Sequence, residues 1–129
     1  MKYLTDKQVI LLNALMIERY TPNERKGVKN VGLLQSALAR PKQSAFGQEA
    51  YPTIWEKASA LLASLSQNHA FHSANKRTGF ASMKQFLWIN GYNLVVDQKE
   101  AEDFTVMVVT EKPSIEEIAE WIKRNSVRR

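Results

Sequence analysis

A stripe of apolar residues at helical spacing in the middle of the chain is the feature that most constrains the fold. The stripe consists of Ile54, Ala58, Leu61, Leu62 and Leu65. Apolar residues that recur every three or four positions share one face of an α-helix, and that face requires a partner surface. Pro52 suits the first turn of this helix, whose end is expected near Gln67 or Asn68. The chain is therefore predicted to have a central helix against which other elements pack.

Two helices are predicted before the central one. The first begins with the capping-box spacing of Thr5 and Gln8 and runs to about Tyr20. Its buried face is expected to comprise Val9, Leu12, Leu15 and Met16. The second helix is short and should end before Pro41. Its inward positions are Leu33, Leu34, Ala37 and Leu38.

Three further helices are predicted after the central one. The first of them begins within residues 76–78 and stops at Gly91, because glycine readily adopts a left-handed cap. Asp97 can cap the next helix, and Ser114 with Glu117 forms a second capping box ahead of the last. The inward faces of the three are formed by Phe80, Met83 and Leu87, by Ala101, Phe104, Thr105 and Val108, and by Ile115, Ile118, Ala119 and Ile122.

The segments between and after these helices give weaker signals. Residues 42–48 lack periodicity and contain a glycine, which predicts a flexible connection that could form a flap. Residues 94–96 predict a short extended piece. The basic residues of segment 123–129 are expected to form a solvated tail rather than a nucleic-acid surface. Because no repeat or linker interrupts the pattern, residues 1–129 are predicted to form one all-α domain, a compact helical bundle.

Composition narrows the setting. The chain has no cysteine, which excludes disulfides and thiolate chemistry and is consistent with a reducing compartment. No apolar stretch approaches the ~20 residues that cross a bilayer, so no membrane association is expected and the cytoplasm is the predicted location. A net charge of +5 raises the possibility of nucleic-acid binding.

The residues that carry chemistry lie in one connection between two predicted helices. His69 follows the central helix, and a histidine can accept a proton near neutral pH. Asn75, Lys76 and Arg77 open the next helix, whose unpaired backbone N–H groups favour an anion such as phosphate. The pattern thus predicts a general base beside a phosphate-binding site. From spacing alone, a hydrogen-bonding loop histidine, surface cations and a plain asparagine cap explain the same residues equally simply.

A family resemblance changes this balance. His69-Ala70-Phe71 followed by Ala74-Asn75-Lys76-Arg77-Thr78 resembles the signature of the Fic/Doc family, in the Asn-Lys-Arg form typical of Doc toxins rather than the Asn-Gly-Arg form of Fic enzymes. The segments 32–41, 51–53, 56–58 and 86–91 are also similar to Doc proteins. The resemblance covers roughly residues 5–97.

The resemblance implies an activity and partners. It implies that His69 is the catalytic base and that Asn75, Lys76 and Arg77 hold the phosphates of ATP. The Doc form implies a kinase that phosphorylates a threonine of elongation factor Tu and so halts translation. It also implies a small Phd-like antitoxin that folds a disordered tail onto the toxin, with nucleic acid contacted only through that complex. Two alternatives remain: AMP transfer, as in Fic enzymes, and a weakened or non-enzymatic binding module.

One departure from the family pattern affects the expected metal. The position that usually carries an acidic ligand for Mg²⁺ is Ser73 in this chain. A neutral hydroxyl is a poor ligand for a hard cation, although Mg²⁺ relies largely on water and substrate phosphates. His72 lies three residues after His69, but no carboxylate stands within the motif, so His72 is expected to be a hydrogen-bonding residue rather than a ligand. The sequence therefore names no metal ligand with assurance and leaves the use of Mg²⁺ open.

Overall fold

The computed structural model describes residues 1–129 and contains six α-helices and four short strands. The helices are α1 Asp6–Tyr20, α2 Val31–Ala39, α3 Ile54–Gln67, α4 Asn75–Ile89, α5 Gln98–Glu111 and α6 Ile115–Arg124. The strands are β1 Ser44–Ala45, β2 Gln48–Glu49, β3 Tyr92–Leu94 and β4 Ser126–Arg128, and they pair as β1 with β2 and β3 with β4, both antiparallel. The predicted all-helical fold is confirmed, with two small strand pairs added to it.

Helix α3 is the centre of the bundle, as its apolar stripe predicts. It packs against α4 and α6 and also contacts α2 and α5. Leu61, Leu62 and Leu65 are almost completely inaccessible to solvent. The helix begins after Thr53, whose side chain accepts a hydrogen bond from the backbone of Glu56. The placement of Pro52 in the first turn is therefore wrong, because Thr53 is the N-cap and the first helical residue, Ile54, comes two residues after the proline.

The buried face of α1 differs from the predicted one. The capping box of Thr5 and Gln8 is present. The buried residues of the helix are Val9, Asn13 and Ile17, while Leu15 is exposed and Leu12 and Met16 are only partly covered. The prediction for Leu15 is wrong because it assumed a wholly apolar face. A buried asparagine at the centre of that face rotates the helix toward the loop that precedes α4.

The connection at residues 42–48 forms a hairpin rather than an irregular segment. Phe46 and Gly47 both have positive φ values, of 54° and 76°, which is the geometry that a tight two-residue hairpin turn requires. Beneath the hairpin, the buried Lys57 of α3 donates hydrogen bonds to the carboxylate of Glu49 at 2.8 Å and to the carbonyl of Tyr51. The hairpin is thus tied to the beginning of α3.

The basic C-terminal segment is not a solvated tail. Lys123 and Arg124 end α6, and the following residues form β4, which pairs with β3. The guanidinium of Arg129 lies 4.3 Å from the ring of Trp88 and donates to its carbonyl oxygen at 2.8 Å. The prediction is wrong because β3 and β4 are separated by some thirty residues, and local charge patterning carries no information on such pairing. The extended piece itself is Tyr92–Leu94, slightly earlier than expected.

Aromatic pairs connect the outer elements to the frame. Trp121 of α6 stacks on Phe104 of α5 with ring centroids 3.7 Å apart, and Trp55 of α3 meets Tyr92 of β3 edge-on at 4.7 Å. Such pairs add to the stabilisation that comes from area burial alone. No helix combines the length and apolar character needed to span a bilayer.

Candidate active site

The beginning of α4 differs from that of every other helix in the bundle. The other five have a side-chain N-cap, from Thr5, Asn30, Thr53, Asp97 and Ser114. The residue before α4 is Ala74, which has no side chain that could accept a hydrogen bond. The first backbone N–H groups of a helix have no partner within the helix and lie at the positive end of its dipole. An uncapped helix start is therefore available to an anion.

The loop that leads into α4 has two left-handed residues that are not glycine. His69 has φ 56° and Ala74 has φ 61°, a conformation that costs about 1 kcal/mol or more and needs support from its surroundings. Asn75 supplies part of that support, because its side-chain oxygen accepts from the backbone N–H of Phe71 at 3.0 Å and its amide donates to the Phe71 carbonyl at 3.1 Å. Both polar side-chain atoms of Asn75 are thus engaged within the loop.

A buried asparagine of α1 supports the same loop from the other side. Asn13 is 0% exposed, and its amide donates to the carbonyl of Ser73 at 2.9 Å and to the hydroxyl of Thr78 at 3.0 Å. It therefore links the loop to the first turn of α4. Sequence reasoning missed this residue because it looked for apolar positions, although a polar residue at i+4 from Val9 and i−4 from Ile17 was a visible signal.

The segment after α1 is joined directly to this loop. The carbonyl of Ala70 accepts from the N–H groups of Lys29 and Asn30, at 2.8 and 3.0 Å, and His72 donates its N–H to Gly27 at 3.2 Å. Val28 and Phe71 form an isolated antiparallel bridge. Residues 21–30 are consequently held against the start of α4 and form one wall of the cleft described next.

A cleft of about 490 Å³ brings the predicted residues together. His69, Asn75, Lys76 and Arg77 all line it, so the base and the helix start open onto the same space. Ser73 lines it as well. The cleft is bounded mainly by polar and charged groups, which suits an anionic guest rather than an apolar one.

The two cations and the histidine are held to different degrees. His69 and Lys76 are exposed and make no hydrogen bond or ion pair within the protein. Arg77 is oriented by the C-terminal end of α1: it donates to the hydroxyl of Thr21 at 3.0 Å and lies 5.5 Å from the ring of Tyr20. The cleft thus offers one oriented guanidinium, one unpaired ammonium and one unpaired imidazole.

Ser66, in the last turn of α3, is a further polar residue of the cleft that sequence reasoning missed. It is 1% exposed, its hydroxyl has no hydrogen-bond partner, and it lines the cleft. A Cβ added at Gly79 would lie 2.4 Å from this hydroxyl, so the glycine allows α3 and α4 to approach closely here. A serine within an apolar stripe gives no signal that its hydroxyl is left unpaired.

His72 and Ser73 flank the cleft without forming a protein-only metal site. Partial burial, followed by the positive charges of Arg25 and Lys29, lowers the pKa of His72 below its ordinary value of 6.5. No group of three or more histidine, aspartate or glutamate side chains lies together in the molecule.

Comparison with known proteins identifies the family of the chain. Residues 3–87 match the model of the Fic/DOC family. The chain belongs to the Fic/Doc family. It is also 45% identical over 94 residues to the protein named Toxin Doc of Mycolicibacterium smegmatis (strain ATCC 700084 / mc(2)155), an alignment that covers 71% of this chain and 72% of that protein. The family match contains the whole of the cleft loop and the first turns of α4.

Proposed function

We propose that this Fic/Doc protein is the toxin of a toxin–antitoxin pair and that it transfers the γ-phosphate of ATP to a hydroxyl of elongation factor Tu in the bacterial cytoplasm. The observation that carries the proposal is that His69 and the uncapped start of α4 line one cleft. The name of the mycobacterial relative supports the toxin assignment. The Asn-Lys-Arg form of residues 75–77 supports phosphate transfer over AMP transfer.

His69 is proposed to act as the general base. A threonine hydroxyl of the target enters the cleft and loses its proton to the imidazole as its oxygen attacks the γ-phosphorus. The bond between the γ-phosphorus and the oxygen that bridges to the β-phosphate breaks, and ADP leaves. The imidazole is free for this role because no protein group occupies it.

The start of α4 is proposed to hold the phosphates. Lys76 provides a point charge that can follow the phosphate during transfer, and Arg77 provides a fork of donors whose position is set by Thr21. Charge that builds on the transferring and leaving oxygens is stabilised by such groups when they are already in position. Asn75 contributes its backbone at the helix start, while its side chain holds the loop in shape.

Magnesium is proposed to accompany the nucleotide. When bound, it neutralises phosphate charge and fixes the phosphate conformation. The cleft fits such an ion with a sparse donor set. Its lining includes the hydroxyl of Ser73, the carboxylate of Glu24 and the unpaired hydroxyl of Ser66, while the side-chain oxygen of Asn75 already accepts a hydrogen bond from Phe71. Mg²⁺ commonly takes one or two carboxylates and completes its coordination with phosphates and water.

A small antitoxin is the proposed partner. A second groove, of about 460 Å³, borders the cleft between α1, α4 and α5 and shares Lys76 and Arg77 with it. This groove is more apolar and includes Met16, Phe80 and Val106. A segment that folded into it would cover both cations, which supports inhibition by docking.

Labelled ATP tests the proposed reaction. The protein is incubated with elongation factor Tu and either γ- or α-labelled ATP, and the factor is then analysed by mass spectrometry. Label from the γ position with a gain of one phosphate on a threonine is the expected result. Retention of the α label would replace phosphate transfer by AMP transfer. No label from either position would count against an enzymatic function on this target.

A further inference from the structure

A carboxylate from a different loop lies in the cleft whose motif lacks one. Glu24 is the only aspartate or glutamate among the residues that line the cleft, and it belongs to the segment that follows α1 rather than to the motif loop that carries Ser73. Its backbone N–H donates to the carbonyl of Thr21 at 2.9 Å, and the segment as a whole is joined to the motif loop through Val28 and Phe71. These contacts hold the backbone of Glu24 close to the motif loop.

The ion pair with Arg77 does not account for Glu24. The two charged groups are 3.8 Å apart, which is too long for a hydrogen bond, and the side chains are 46% exposed for Glu24 and 30% for Arg77. Partly exposed pairs of this kind contribute little to stability. The guanidinium already has a direct hydrogen bond to the hydroxyl of Thr21 at 3.0 Å. Arg77 would thus keep its orientation without Glu24.

A carboxylate is also out of place in a cleft built for phosphate. Two anions in one cleft repel each other, and even with the partial solvent exposure of Glu24 this repulsion would weaken nucleotide binding. A cation bound between the carboxylate and the phosphate attracts both, so the carboxylate then strengthens nucleotide binding. A second polar group of the same cleft also lacks a partner in the protein, because the hydroxyl of Ser66 is 1% exposed, lines the cleft and makes no hydrogen bond.

We propose that Glu24 supplies the carboxylate for the divalent cation that accompanies the nucleotide phosphates, in place of the acidic side chain that Ser73 replaces. The proposal rests on the proposed nucleotide-dependent function. One carboxylate is sufficient for Mg²⁺ when phosphates and water provide the remaining ligands. The competing role, in which Glu24 occupies Arg77 and excludes phosphate, predicts the opposite effect of removing its charge.

The test is the dependence of nucleotide affinity on Mg²⁺, measured by isothermal titration calorimetry with ATP. In the wild-type protein Mg²⁺ should tighten ATP binding, and in Glu24→Gln this enhancement should fall by roughly 10- to 100-fold, the loss typical when the environment of a metal is disturbed. Affinity without metal should stay the same or rise slightly. Glu18→Gln is the matched control, because Glu18 pairs with Lys26 on the exposed surface outside the cleft and should leave the enhancement intact.

A second readout follows the cation itself. Mn²⁺ in the presence of ATP is titrated with protein, and free Mn²⁺ is measured by its electron paramagnetic resonance signal. Glu24→Gln should leave more Mn²⁺ outside the protein complex than wild type does. The double variant Ser73→Asp with Glu24→Gln should recover the enhancement, because the cleft then regains a carboxylate at the motif position, and this recovery also shows that the fold is intact.

The outcomes separate this inference from the proposed function. Equal enhancement in wild type and Glu24→Gln would overturn the role of Glu24 while leaving phosphate transfer in place. Tighter binding by Glu24→Gln with and without metal would overturn it in favour of competition for Arg77. Loss of the enhancement in Glu24→Gln, in a protein that labels no target, would support the inference and defeat the proposed reaction. If wild type bound no ATP under any condition, both would fail.

Discussion

The beginnings of α3 and α4 solve the same structural problem in opposite ways. At the start of α3, Thr53 caps the backbone, and the buried ammonium of Lys57 is surrounded by oxygens of Glu49, Tyr51 and Pro41. At the start of α4 there is no cap, and Lys76 has no partner. A buried polar group is stable only when it is paired, so the first arrangement serves the fold. The second arrangement leaves the first backbone N–H groups of α4 and the ammonium of Lys76 available to a ligand.

The largest expected effect concerns the uncapped start of α4 and the cleft beside it. Replacing His69 by alanine should lower the transfer rate by about 10²- to 10⁴-fold, the usual contribution of a general base. The melting temperature should not change, because the exposed imidazole makes no contact that holds the fold. Single-turnover kinetics and thermal unfolding on the same preparation measure both. A large drop in melting temperature would mean that the start of α4 is also a structural site, and the contrast with α3 would be lost.

The second effect concerns the start of α3, where the ammonium of Lys57 is paired. In Lys57→Met the carbonyls of Pro41 and Tyr51 lose their donor, and the free energy of unfolding should fall by about 2–4 kcal/mol, below the full value for a broken buried pair because Glu49 is itself exposed. Urea denaturation gives the value. Lys84→Met is a suitable control, since Lys84 is an exposed lysine of α4 that makes no ion pair. ATP affinity should be unchanged, and a marked loss of it would connect the two helix starts.

A smaller effect is expected at Asn13, which stabilises the fold and also supports the loop that lines the cleft. Asn13→Leu removes the donors to Ser73 and Thr78 and should cost about 1–3 kcal/mol of stability. Since the loop into α4 loses a support for its left-handed residues, ATP binding should weaken as well. Denaturation and calorimetry on Asn13→Leu, beside the surface variant Leu11→Ala, measure the two losses. Loss of stability with full ATP affinity would show that the loop keeps its shape through Asn75 alone.

The smallest effect concerns protonation beside the cleft. The pKa of His72 should lie below 6.5, because partial burial and then Arg25 and Lys29 disfavour the charged imidazolium. Above pH 6.5 the residue is neutral in both states and contributes nothing. As the pH falls below 6.5, the unfolded chain takes up the proton first, so stability is lost. An NMR titration of His72, repeated in Lys29→Gln, measures this. A pKa that does not rise in Lys29→Gln would remove the charge contribution.

The sequence predicts the part of the structure that depends on local pattern. Helix positions follow from apolar periodicity and from caps such as Thr5 and Ser114, which act within one turn. The meeting of His69 with Arg77 also follows, because one short connection carries both. The orientation of α1 is not predicted, because Asn13 is explained only by hydrogen bonds to residues 60 and 65 positions away.

The same limit explains the remaining errors. Lys57 looks like a surface lysine until the hairpin covers it, and β4 is invisible without β3. Glu24 lies outside the motif, and its segment is joined to the motif loop by contacts such as the bridge between Val28 and Phe71. Contacts between distant segments depend on the whole fold, and periodicity or residue spacing does not encode them.

The placement of the tryptophans determines what light emission from this protein can report. Trp55, Trp88 and Trp121 are the only three in the chain, and each stacks on or against a neighbour in the helical frame, while none lines the cleft. Intrinsic tryptophan fluorescence should therefore change when the protein unfolds and should not change when a nucleotide binds in the cleft. An unchanged emission spectrum during an ATP titration is accordingly no sign that binding has failed, and a dye or calorimeter is needed to detect it.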